Sequence, residues 1–320
     1  MTVPDEATVV AMPIPEPQTQ RGRVSTWYRA RHSLWRAKFP VVALFILGVV
    51  VIMALFAPLL APYNPNKVDV QIRLLPPAFA GGDPAYPLGT DALGRDVLSR
   101  LIYGARVSLV VGLTAVMVAG TLGVTLGLTA GFLGGRIDSV IMRAADIQLA
   151  FPFILLAISL LAVLNARRGV EANISNFQRL VPLILTLGVA QWVTYARMGR
   201  SVTLSLREKE FVESARALGD SKRSIISRNI LPNALAPLIV IASFNVASTI
   251  LAEAALSFLG LGVPPAIPTW GGMLAESREL LISGVWWLAI IPGLAIMFTV
   301  LSINILGDWL RDFLDPRLRT

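Results

Sequence analysis

The residues best placed for specific work run from Glu213 through Ser214, Ala215, Arg216 and Ala217 to Leu218 and Gly219, with Ile230 and Pro232 following. No nucleophile–base pair accompanies them, so the chemistry they offer is recognition. A carboxylate can hold backbone amides or a guanidinium, Leu218 and Ile230 can bury apolar surface, and Gly219 can take a positive φ. A second carboxylate, Glu253, interrupts an apolar run; an ionised side chain at such a depth costs about 2.5–3.5 kcal/mol or more. It must therefore face a bundle interior or a wet path. It reads either as lining a translocation path or as hydrogen-bonding between helices near the outer end. Asn245, eight residues earlier, can share its face. Arg143 and Asp146 stand at i, i+3 and read as a local ion pair.

Other chemistries are excluded by what is missing. The chain has no cysteine and one histidine, His32, in a polar stretch, which removes thiolate zinc sites, iron–sulfur clusters and disulfides. There is no G-x-x-x-x-G-K-[ST] phosphate loop, so no ATP site of the usual kind is expected here.

The Glu213 pattern lies in a charged stretch, 199–234, between two apolar runs. Ser201 to Leu218 reads as a helix with Leu204, Phe211, Ala215 and Leu218 on one face. Gly219 ends it, Asp220 or Ser221 caps the next, and that helix presents Ile225, Ile226 and Ile230 before Pro232 stops it. The expected unit is a helix–turn–helix outside the bilayer, whose apolar face fits a groove on a partner.

Composition says what surrounds this loop. Of 320 residues 55% are hydrophobic and only 15% charged, with mean hydropathy +0.67, too little charge to clothe a soluble chain of this length. Lipid is the implied solvent. The net charge of +8 lies mostly between apolar runs, so it points to membrane orientation and not to nucleic acid. Six spans are expected: Val41–Leu60, Ala105–Phe132, Ser139–Leu164, Leu180–Met198, Leu235–Leu261 and Trp287–Leu310. The second carries the small-residue pair Gly123 and Gly127, suited to close helix approach. Asp91 to Tyr103 reads as a short amphipathic helix at the outer interface. Residues 1–38 form a polar, disordered cytoplasmic tail and 39–61 the first span. Residues 62–104 lie outside, 105–311 make a core of five spans with the loop 199–234, and 312–320 form a cytoplasmic tail. Nineteen Lys and Arg residues fall on the proposed inside against nine outside, which places both termini in the cytoplasm.

Glu213 to Gly219, nine residues, then Asn229-Ile230-Leu231-Pro232 resembles the E-A-A-x3-G-x9-I-x-L-P signature of ABC importer permeases, with Ser214 and Asn229 departing from it. Further blocks resemble the C-type permease of dipeptide and oligopeptide importers. They are Leu88 to Arg100 (LGTDALGRDVLSR), Ala252 to Pro265 (AEAALSFLGLGVPP), Thr269 to Met273 (TWGGM) and Asn304 to Arg317 (NILGDWLRDFLDPR). The resemblance implies an all-α type I permease bundle in the cytoplasmic membrane of a prokaryote, with the loop as a coupling helix seated on an ATPase. It also implies the partners: a homologous second permease, two ATP-binding-cassette ATPase subunits that hold ATP and Mg, and an extracytoplasmic peptide-binding protein. No cofactor or enzymatic activity is expected in this chain. The same machinery serves nickel chelates and glutathione, so those substrates stand as alternatives. A proton-coupled carrier, for which Glu253 and Asp146 would be relay groups, is the rival from another class. A membrane-embedded enzyme would need clustered His, Asp or Ser chemistry that the chain does not offer.

Overall fold

Apolar runs without water must bond their own backbone groups, and helices do so within one segment. The computed structural model describes residues 38–166 and 175–314, and those residues hold helices and no strand. In chain order the helices are α1 (Lys38–Leu55), α2 (Ala57–Leu60), α3 (Val97–Leu133), α4 (Gly135–Leu149), α5 (Phe153–Ala166) and α6 (Asn176–Leu206). Then come α7 (Glu210–Ala217), α8 (Lys222–Ser224), a π-helical segment (Ile225–Ile230), α9 (Leu231–Phe258), α10 (Trp270–Ser277) and α11 (Trp287–Leu314). Among the described residues five helical segments are long and apolar enough to cross a membrane, and α4 with α5 makes a sixth if that bent pair is one span. Residues up to 37 and from 315, which fall in the two expected tails, and residues 167–174, between the expected third and fourth spans, lie outside the described residues.

Two expected elements outside the loop 199–234 differ. Asp91 to Tyr103 is not a separate interfacial helix. The Asp96 side chain accepts a hydrogen bond from the Ser99 amide at 2.8 Å and starts α3 at Val97, and α3 then continues unbroken to Leu133. Residues 91–94 form the turn before it, closed by the Gly94 amide on the Asp91 carbonyl. The third span, expected as one helix over Ser139–Leu164, is bent by 99° between α4 and α5. Pro152 stands at the break; it has no amide to donate and disfavours helical backbone at Phe151.

The bundle is centred on α3 and α6. Gly123, Gly127 and Gly131 let α3 lie against the backbone of α6. A Cβ at Gly127 would sit 2.3 Å from the Ala196 carbonyl oxygen, and one at Gly123 only 2.2 Å from that of Trp192. Those neighbours are backbone and cannot step aside. Gly127→Ala is therefore expected to cost about 1–3 kcal/mol or more by overpacking, read as a lower thermal midpoint of the purified protein. An unchanged midpoint would show that the two helices have room to separate. At the end of the bundle where α3 begins, Trp270 is fully buried, donates its indole N–H to the Leu101 carbonyl at 3.0 Å, and fixes α10 against α3.

Candidate functional site

The expected helix over Ser201–Leu218 is two helices. α6 runs on to Leu206, residues 207–209 break the chain direction, and α7 follows. Val212 and Ala215 are buried in a cluster with Leu128 and Phe132 of α3 and with Ile225 and Ile230. The Arg216 guanidinium lies over the Phe132 ring, 5.3 Å from its centre. α7 is thus set by its buried face into the cluster shared by α3 and the π-helical segment. The expected single apolar face does not form: Ala215 points inward with Val212, while Phe211 and Leu218 are 41% and 86% exposed. Val212 was not anticipated, although its i, i+3 spacing to Ala215 carries the signal.

Gly219 has φ +82°, the left-handed conformation that favours glycine, and its amide closes the helix end on the Arg216 carbonyl at 3.0 Å. Ser221 is the cap of the next turn, accepting from the Ser224 amide at 3.3 Å. Pro232 does not stop that helix. The chain widens into π-helical geometry over Ile225–Ile230 and proceeds into α9, with Pro232 in its first turn. A proline in a regular helix clashes with the carbonyl four residues back, and the wider turn removes that conflict. The Asn233 side-chain amide donates to the Asn229 carbonyl at 2.7 Å, a further bond at the junction. Of the residues singled out, Glu213, Ser214, Leu218 and Gly219 are exposed together, Pro232 is exposed at the flank, and Ala215 and Ile230 are interior. Glu213 has no ion pair among the described residues.

The other acids are engaged elsewhere. Asp146 pairs with Arg197 of α6 at 2.6 Å and not with Arg143, because α4 lies alongside α6, where Asp138 also binds Arg200 through two bonds of 2.5 and 2.7 Å. At the opposite end Asp91, Arg95, Arg100 and Glu276 form one cluster. Arg95 reaches Asp91 at 2.6 Å and Glu276 at 2.7 Å, while Arg100 binds Asp91 and both Glu276 oxygens. Glu253 is fully buried; its carboxylate accepts from Ser257 at 2.8 Å and from Ser108 of α3 at 3.3 Å. The Ser257 bond lies within α9, and the Ser108 bond joins α9 to α3, as the interhelical reading of Glu253 requires. Asn245 is not brought to it: it is half-buried beside Tyr195 of α6.

Residues 123–320, more than half of the chain, match the family described as binding-protein-dependent transport system inner membrane component. This chain belongs to that family. Residues 25–77 match the N-terminal transmembrane domain of oligopeptide transport permease C. The chain is 42% identical over 277 residues to the di/tripeptide transport system permease protein DppC of Pseudomonas aeruginosa, covering 86% of this chain and 87% of the relative. It is 41% identical over 315 residues to the dipeptide transport system permease protein DppC of Escherichia coli K12, covering 98% of each. An inward-facing structure of the MetNI methionine ABC transporter has the same fold, with TM-score 0.51 and 18% identity over 68% of this chain and 96% of that one. The protein is thus an inner-membrane permease of a binding-protein-dependent transport system.

Proposed function

We propose that this permease carries di- or oligopeptides across the cytoplasmic membrane and is driven by an ATPase subunit seated on α7 and Gly219. The observation that carries the coupling half is the two-sidedness of α7: Val212 and Ala215 are buried in the bundle's hydrophobic cluster, while Phe211, Glu213 and Leu218 are left open. An exposed apolar pair beside an unpaired carboxylate on a rigidly backed helix is a partner surface. The peptide half is supported by the names of the relatives. In this reading Glu213, Ser214, Leu218 and Gly219 meet the ATPase, Ala215 and Ile230 brace the loop from within, and Pro232 directs α9 away from it. A homologous second permease completes the path, two ATPase subunits hold ATP and Mg, and a binding protein delivers peptide from outside. Both termini are cytoplasmic, in a prokaryotic membrane. Glu253 fastens α9 to α3.

Glu213→Lys reverses the charge on the open face, and Gly219→Pro forbids the positive φ of the turn. In reconstituted complexes both are expected to lower peptide uptake by about tenfold or more while ATP hydrolysis continues, the signature of lost coupling. Full uptake in both variants would remove the loop from the mechanism. Uptake driven by a proton gradient without ATP would replace the importer reading with a carrier.

A further inference from the structure

We propose that a cleft at the outer end of α3 binds the phosphate of an outer-leaflet phospholipid, with preference for phosphatidylglycerol over a zwitterionic lipid. The inference uses the proposed orientation but not the transport reading. The cleft, of about 840 Å³, lies between α3, the start of α6, and residues 58–66 and 266–268. Tyr103, Arg106, Asn64 and Asn176 give it its polar character, and no Asp or Glu among the described residues lines it. Three arginines cluster on this part of the chain. Arg95 and Arg100 are occupied by Asp91 and Glu276, whereas Arg106 is exposed and has no ion pair among the described residues. A guanidinium without a counter-ion in a concave, acid-free site is a receptor for an oxyanion.

Depth and the neighbouring surface choose the oxyanion. Arg106 is the last charge before an uncharged stretch from Val107 to Leu133. At about 1.5 Å per residue that stretch spans about 40 Å, more than the roughly 30 Å of hydrocarbon, so Arg106 stands at headgroup depth. The face of Arg106 continues at helical spacing through Val110, Leu113 and Met117, and the last two are 52% and 68% exposed. An oxyanion site leading into an exposed apolar stripe has the head-and-tail form of a phospholipid. A path for zwitterionic peptides would not continue as leucine and methionine. With no carboxylate among the described residues of the cleft, a headgroup ammonium finds no partner there, and the glycerol headgroup, whose hydroxyls the asparagines and Tyr103 can bond, is favoured.

Native mass spectrometry of the full chain in detergent, titrated with palmitoyl-oleoyl phosphatidylglycerol or the corresponding phosphatidylcholine, tests this. The wild type is expected to retain phosphatidylglycerol at about tenfold lower concentration than phosphatidylcholine. Arg106→Gln should erase the preference and Arg106→Lys keep part of it, since a lysine supplies charge without the planar fork. Arg278→Gln, at an outer arginine that lies over Phe258 instead, should leave it intact. Equal retention of the two lipids, or an unchanged preference in Arg106→Gln, would overturn the proposal. Displacement of bound phosphatidylglycerol by millimolar dialanine from the wild type but not from Arg106→Lys would also overturn it, by assigning the cleft to a peptide carboxylate.

Discussion

Asp91→Ala is expected to destabilise the protein by about 3–5 kcal/mol, the range found when one partner of a buried ion pair is removed. Its side chain is 5% exposed, and those of Arg95 and Arg100 are 8% and 2% exposed. Without Asp91 the two guanidiniums would share one carboxylate, Glu276, whose own side chain is 32% exposed. The substitution also takes away the Oδ1 acceptor that binds the amides of Leu93 and Arg95 at 2.9 and 3.0 Å and shapes the turn before α3. Asp91→Asn separates the two effects, because it retains an acceptor for the turn but removes the charge. The thermal midpoint of the purified chain should fall most in Asp91→Ala, less in Asp91→Asn and least in Glu276→Gln. Raising salt should change the wild type little, since buried pairs are weakly screened. A wild-type midpoint in Asp91→Ala would mean that the cluster does not hold α10 to α3.

That cluster shows where sequence reading stops. Asp91, Arg95 and Arg100 stand close in the chain, but Glu276 lies 176 residues beyond Arg100 and nothing local points to it. The same limit explains Asp146. Spacing favoured Arg143 as its partner, and the choice of Arg197 depends on how α4 lies against α6. The spans were legible because length and the absence of charge are one-dimensional properties, and the first turns of α3 were separated from it only because their polarity hid an uninterrupted helix. The break between α4 and α5 had a visible cause in Pro152, yet a proline inside α6 (Pro182), α9 (Pro237) or α11 (Pro292) does not break those helices. Whether a proline bends a span depends on neighbours that can satisfy the freed carbonyl, and those are tertiary. In the loop between α6 and α9, Gly219 was legible because its role is backbone conformation. Ala215 was not, since small and apolar describes a docking position and a packing position alike.

The strongest test of the loop follows from that ambiguity, because α7 offers two apolar positions of opposite exposure. Leu218 is 86% exposed and Val212 is fully buried. If α7 docks an ATPase by its open face, Leu218→Asp should leave the thermal midpoint of the isolated chain within about 0.5 kcal/mol of wild type, as surface changes do. In the assembled complex the same variant should lower uptake by about ten- to a hundredfold and reduce the ATPase that copurifies, because a central apolar anchor would be replaced by a charge. Val212→Asp should behave the other way. It buries an unpaired carboxylate among Leu128, Phe132 and Ile225, so the isolated chain should lose several kcal/mol before any partner is present. Uptake alone cannot tell a broken dock from a broken fold, and the pair can. Were Leu218→Asp to transport normally with its ATPase still bound, the exposed leucine would lie outside the contact. The docking surface would then have to be sought on the other open side of the loop, around Lys222 and Arg223, where the charge is positive and the partner surface would have to be acidic.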